Sequence, residues 1–276
     1  MIKLIINQSS EKLLVAITNR LPQSLLITGQ SGVGLTTISL YIAELLKTNP
    51  VIILPEKDEK IDIERGIISV DIMRRLYNET STKTDSMRII IIDCAERMTH
   101  QAQNAFLKLL EEPGKNIHFI LVSNSASKLL PTIVSRTENL NIKPISTEQS
   151  EQLISGLGVT DVTKQSQLLF MADGLPAELT RLVTNNNYFD KRSSTVRNAR
   201  ELLRGTVYQK LLIANSYKDD RASALNLLLD AAKILNKSIT ANPQIETIGK
   251  IDGILNAYQQ IEANGNIRLC LARIVL

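Results

Sequence analysis

The stretch Gly29-Gln-Ser-Gly-Val-Gly-Leu-Thr36 keeps the spacing of a phosphate-binding P-loop at its outer glycines and its hydroxyl, and breaks it at one position. Glycines at 29, 32 and 34 let main-chain N–H groups curl around an anion, and a helix N-terminus just beyond adds positive potential. Thr36, with Thr37 beside it, supplies the hydroxyl that such a loop turns toward Mg2+. The lysine that would reach the β- and γ-phosphates is Leu35. An apolar side chain there cannot offset phosphate charge. Read alone, the letters also suit a Gly-rich strand-to-helix turn with no ligand.

A second constellation lies at Ile89-Ile-Ile-Ile-Asp93-Cys94. A β-branched run ending in an acid is where a P-loop hydrolase holds its metal through water, so Asp93 is the candidate. In the additional-strand class a glutamate follows and polarises the attacking water. Here that position is Cys94, a poor base that at a strand end is usually a small buried residue. Glu96, on a continuing strand, faces the same side but lies about 6–7 Å further along. Lysine and glutamate serve different parts of the reaction, charge stabilisation and water positioning, and both are replaced. We expect no hydrolysis by this chain and no required cofactor. The glycine cradle leaves residual ATP or ADP binding open.

The elements that must position these residues follow from periodicity. Leu25–Thr28, Val51–Leu54, Ile89–Asp93, His118–Val122 and Leu140–Ile142 are short apolar runs, continuous rather than alternating, as in strands buried on both faces. Helical patterns lie between them at Ile38–Leu46, Val70–Glu79 and Thr99–Glu112, which predicts parallel βαβ units in an open α/β sheet. In the last of these helices Ala102, Ala105, Phe106, Leu109 and Leu110 form one apolar stripe, a core face. After Pro144 strand-like runs cease. Thr147–Leu157, Thr163–Ala172 and Pro176–Val183 read as short helices, Asn185–Asn187 as a turn or linker, and the chain from Ser193 as helical again, punctuated by Pro243 and Gly265. The expected division is 1–145, 146–190 and 191–276.

Bulk properties exclude little. The 276 residues carry a formal charge of +4 with 43% hydrophobic residues, ordinary for a globular protein and only weakly suggestive of nucleic acid. Cys94 and Cys270 cannot make a four-cysteine zinc site or a disulfide framework, and His100 and His118 lack ligand spacing, so no metal is expected. MIKLIINQSS lacks the features of a signal peptide and no stretch is as long as a membrane span, so the expected compartment is the cytosol.

Ile89–Pro113, IIIIDCAERMTHQAQNAFLKLLEEP, resembles the Walker B strand and following helix of bacterial DNA polymerase III clamp-loader subunits, which are AAA+ proteins. His118–Arg136, HFILVSNSASKLLPTIVSR, is similar to that family's sensor 1 strand and K-L-L-P-T-I-x-S-R segment, with Ser123 and Asn124 in the sensor region. SVDIMRRL at Ser69, MADGLPAELTRL at Met171 and ANGNIRLCLARIVL at Ala263 resemble more loosely the helix after the second strand, the lid and the closing collar helix. The resemblance implies a P-loop domain with a parallel five-stranded sheet, a small helical lid and an all-α C-terminal collar that holds the subunits in a ring.

The departures say which type it resembles. Loader ATPases keep the lysine and the glutamate, whereas delta-prime subunits often lose them. Ala177 stands where an ATPase lid has its sensor 2 arginine, and Pro55–Ile67 is too short and cysteine-free for the family's zinc module, so no zinc is expected. Ser135-Arg136-Thr137 keeps the serine and arginine of the family's S-R-C motif. Read alone, Arg136 is a surface arginine with Glu138 nearby. The resemblance makes it an arginine finger directed in trans at ATP on a neighbouring subunit. It further implies gamma/tau-type ATPase and delta subunits as partners, and the sliding clamp and primed DNA through the complex, with no membrane. An active gamma-type ATPase and an AAA+ DNA-binding or regulatory module outside replication are the competing readings.

Overall fold

In the computed structural model, Ile, Leu and Val runs build five parallel strands: β1 (Ser24–Gly29), β2 (Val51–Ile53), β3 (Arg88–Ile92), β4 (Ile117–Ser123) and β5 (Glu138–Ile142). They lie in the order β2-β3-β4-β1-β5. The structure describes residues 4–63, 65–80, 86–241 and 245–275, so Pro243 lies outside it.

Side chains alternate across a strand, so continuous apolar runs feed two cores. Leu26, Ile90, Ile92, Phe119 and Leu121 pack on one face with α3 (Val70–Thr80) and α4 (His100–Glu111). Leu25, Ile27, Ile89, Ile91 and Ile120 pack on the other with α1 (Gln8–Asn19) and α2 (Leu35–Leu45). Phe106 of α4 meets Phe119 edge-on, ring centroids 5.2 Å apart. This topology brings the carboxyl ends of β3, β4 and β1 side by side, where open α/β sheets bind ligands.

The expected strands and helices of this half are present, with small shifts at their ends. Unread in the sequence are α1, a short antiparallel hairpin (Glu56–Lys57 with Lys60–Ile61) and the single turn α5 (Pro131–Val134). Helix α1 buries only Ser10, Leu14 and Ile17, while Leu13 and Val15 face water, which blurs its stripe.

The chain divides into two compact units, Met1–Val183 and Thr184–Leu276. Helices α6 (Thr147–Gly156), α7 (Val162–Ala172) and most of α8 (Pro176–Thr184) belong to the first. The second contains α9 (Asn186–Arg204), α10 (Val207–Ser216), α11 (Arg221–Ala241), α12 (Ile245–Glu262) and α13 (Ile267–Val275). Asn185–Asn187 is not a linker. Asn185 caps α9, its side chain accepting from the Tyr188 amide, and the helix runs on through residue 190. Gly265 does separate α12 from α13.

The core of the second unit includes Ala199, Leu202, Leu227, Leu228, Ile254, Ile261 and Leu271. Beside it Arg192 of α9 grips the buried Asp230 of α11 with both terminal nitrogens, at 2.8 and 3.1 Å. Among the described residues no helix is long and apolar enough to cross a membrane.

Two substitutions test this packing. Phe106→Ala removes a fully buried ring and is expected to cost about 3–5 kcal/mol. Arg192→Ala strands the Asp230 carboxylate and is expected to cost about 3–5 kcal/mol, most of it recovered when Asp230→Leu and Arg192→Met are combined. Urea unfolding checks the totals, and amide hydrogen exchange assigns each loss to its unit.

Candidate functional site

The loop after β1 takes the conformation its glycines permit. Gly32 and Gly34 have φ of +90° and +94°, left-handed values that other residues adopt only with strain. Gly34 is the N-cap of α2. A phosphate cradle needs this curl, and the sequence keeps it.

The side chain after the last glycine does something else. Leu35 is 5% exposed and joins Val33, Ile38 and Ile142 in the core beneath the loop. A methyl placed on Gly29 would meet its Cδ2 at 3.1 Å. Leu35 is thus packed under the cradle. Above it, the first turn of α8 docks onto the loop: the amides of Ala177 and Glu178 both donate to the Gly32 carbonyl, at 2.9 and 3.1 Å. These helix-terminal donors are the kind that elsewhere bind phosphate. Ala177 therefore does sit over the P-loop, with its methyl toward Gly34, but as a backbone contact.

Thr36 Oγ1 donates to Asp93 Oδ2 at 3.0 Å, and the Cys94 amide donates to Oδ1 at 2.9 Å. Both Asp93 oxygens thus accept a hydrogen bond. Burial raises the Asp93 pKa against those two bonds, and the Glu96 charge adds to the rise. Thr37 is exposed on the same turn. Strand β3 ends at Ile92, and Cys94 turns left-handed (φ 54°) into a 3-10 turn over Ala95–Arg97, so the strand spacing expected for Glu96 does not apply. Instead Glu96 folds back far enough to raise both Asp93 and Cys94, and its Oε2 is buried with no hydrogen bond among the described residues. Ser123 is buried at the end of β4, its Oγ accepting from the Ser125 amide, and Asn124 lines a cleft of about 350 Å³ with Gln30, Asn141 and Lys143.

Arg136 belongs to a different cluster. It follows α5, and its Nη2 bonds Glu111 Oε1 at 2.9 Å while Nη1 donates to the Thr132 carbonyl at 3.1 Å. Its ion-pair partner is Glu111, at the end of α4, and not the Glu138 expected from sequence proximity. Helix α4 packs on α5 and brings Glu111 across, whereas Glu138 opens β5. Among the described residues, no hydrogen bond joins Arg136 to the P-loop.

One residue here escaped the sequence reading. Gln103, buried on α4, donates to the Met98 and Lys128 carbonyls at 3.2 and 3.1 Å and accepts from the Leu130 amide at 2.7 Å. It ties the segment entering α5 to α4. Its signal was present: Gln103, Phe106 and Leu110 share one helical stripe, so a polar side chain had to lie on the apolar face. Ala105, placed on that face from sequence, is only half-buried. His100 contacts Asn104, and His118 the Pro22 carbonyl. No cluster of three or more metal-ligating side chains occurs among the described residues.

The Cys94 thiol is pushed up to about 11, first by burial and then by Asp93 and Glu96. The thiolate is the reactive form, so Cys94 is nearly all thiol at neutral pH. Iodoacetamide labelling followed by peptide mass spectrometry should find Cys94 far slower than a free cysteine at pH 8. Its rate should still be rising between pH 9 and 11. A plateau below pH 9 would contradict this electrostatic environment.

Comparison with known proteins places this geometry. Replication factor C subunit 5 of Homo sapiens is 27% identical over 222 residues, 77% of this chain and 61% of that protein. DNA polymerase III subunit delta' of Bacillus subtilis is 29% identical over 110 residues, 40% of this chain and 33% of that one. The chain spans 61% of the human protein's length and 38% of its mouse counterpart's. Among solved structures, a DNA polymerase III gamma subunit-related protein of Thermotoga maritima superposes with a TM-score of 0.57 at 21% identity, over 96% of this chain and 97% of that one. The RuvB Holliday junction branch migration motor of the same organism gives 0.51 at 17% identity, over 85% and 76%. These likenesses establish an AAA+ fold. A family model described as DNA polymerase III, delta subunit, matches residues 7–146, from the N-cap of α1 to the N-cap of α6. That is just over half of the sequence and includes the P-loop, Asp93 and Arg136, and the chain belongs to this family of AAA+ clamp-loader subunits.

Proposed function

We propose that this chain is the delta-prime-type subunit of a bacterial clamp loader: it hydrolyses no nucleotide, and it donates Arg136 to ATP held by a neighbouring gamma/tau-type ATPase subunit. The observation that carries the reading is Leu35, buried under a loop whose backbone still has the P-loop curl. The site has lost its charge-stabilising group, and the space beneath the cradle is filled with hydrocarbon.

Other features support it. Cys94 cannot act as a base near neutral pH. The lid helix α8 rests on Gly32 through main-chain bonds, so its position needs no phosphate to bridge lid and core. Arg136, in contrast, is 40% exposed at its side chain and available to a partner. In trans its guanidinium would stabilise charge on the transferring phosphoryl group. Loading of the sliding clamp on primed DNA would then proceed through the complex, with delta and gamma/tau-type subunits as partners. Bound nucleotide and zinc are not needed for this role.

Reconstitution tests both halves of the reading. The isolated chain should show no ATP turnover above a buffer control, and sustained turnover would overturn the inactive assignment. A loader assembled with the organism's gamma/tau-type and delta subunits should show DNA-stimulated ATPase. An arginine finger contributes about 10³–10⁵ in rate, so Arg136→Ala should silence the facing site and leave other sites of the assembly active. Unchanged total turnover would exclude Arg136 as the finger.

A further inference from the structure

We propose that Glu111 is a positioning residue for the chemistry in trans: it aims the Arg136 guanidinium before the neighbouring ATP arrives. This inference rests on the arginine-finger reading above. A lone exposed arginine samples many rotamers, and one that must meet a phosphoryl group at a subunit interface benefits from being held in advance. Arg136 has two fixed acceptors, Glu111 Oε1 at 2.9 Å from Nη2 and the Thr132 carbonyl at 3.1 Å from Nη1. The Arg136 side chain is otherwise 40% exposed.

The acceptors are themselves anchored. Thr132 lies in α5, whose Ile133 is completely buried. Glu111 ends α4, and Gln103 on that helix clamps the chain entering α5. The guanidinium therefore spans two elements whose separation the core has already set.

Glu111 is also poorly placed for its own helix. A carboxylate in the last turn opposes the helix dipole, so local helix stability does not account for it. Pairing with Arg136 does. The same contact could in principle hold the arginine back from its target. The two roles predict opposite signs, because a holding-back contact speeds the neighbour when it is removed.

The test uses the reconstituted loader carrying wild-type chain, Glu111→Gln, Glu111→Asp, Arg136→Ala or the Glu111→Gln/Arg136→Ala double variant. DNA-stimulated kcat and the KM for ATP are measured for each, with circular dichroism and gel filtration confirming fold and assembly. Glu111→Gln should lower the portion of kcat that Arg136→Ala removes about 2- to 5-fold, the range of an exposed ion pair, with KM unchanged. Glu111→Asp should recover part of the loss, and Glu111→Gln should add nothing to Arg136→Ala. An unchanged or raised kcat in Glu111→Gln, beside a strong loss in Arg136→Ala, overturns the positioning role alone. So does a further fall in the double variant. An unchanged kcat in Arg136→Ala removes the finger reading and this inference with it.

Discussion

The carbonyl of Gly32 accepts hydrogen bonds from two amides at the start of α8, and the arrangement of the candidate site depends on that contact. Gly32 must be left-handed to present its carbonyl upward, and a methyl there would lie 3.1 Å from Glu178 Cβ. In a loop used for phosphate, the curl exposes N–H groups to an anion. Here the same curl receives a helix end, while Leu35 fills the core below. The loop joins the sheet to α8. Because the joint is made by main-chain atoms, it tolerates the loss of the residues that nucleotide chemistry requires.

Helix α4 connects the two candidate clusters within the first unit. Thr99 caps it next to the turn that carries Glu96, and Glu111 ends it beside Arg136. Midway, Gln103 satisfies three main-chain groups at once. Cutting such a buried network leaves unsatisfied groups at about 1–3 kcal/mol each, so these bonds fix α4 against the segment entering α5. On the proposed reading, an arginine supplied to another subunit's site has to be held by its own scaffold.

Much of the fold was legible because the strands are buried on both faces. Ile89–Ile92 can only be a central strand, and the apolar runs around it alternate with helical patterns. Helix α1 was not, because Leu13 and Val15 face water and dilute a narrow stripe. Asn185 to Asn187 carry turn chemistry that serves equally as a helix cap, and the cap is what formed. At the site, spacing singled out Gly29–Thr36 and Asp93 as candidates, and the family resemblance singled out Arg136. Contacts made through tertiary packing stayed hidden: Glu111 lies 25 positions from Arg136, and the α8 amides that meet Gly32 have no side-chain signature at all. The strand spacing considered for Glu96 does not apply because a left-handed Cys94 follows the strand, and nothing in the letters D-C-A-E announces that turn.

The central proposal is that this P-loop, with Leu35 packed beneath it and α8 docked on Gly32, has lost tight nucleotide binding. Equilibrium titration of the isolated protein with Mg-ATP, followed by calorimetry, tests it most directly. The account predicts weak residual binding at most, with no saturation below about millimolar ATP. Stoichiometric binding with a Kd in the low micromolar range would contradict it.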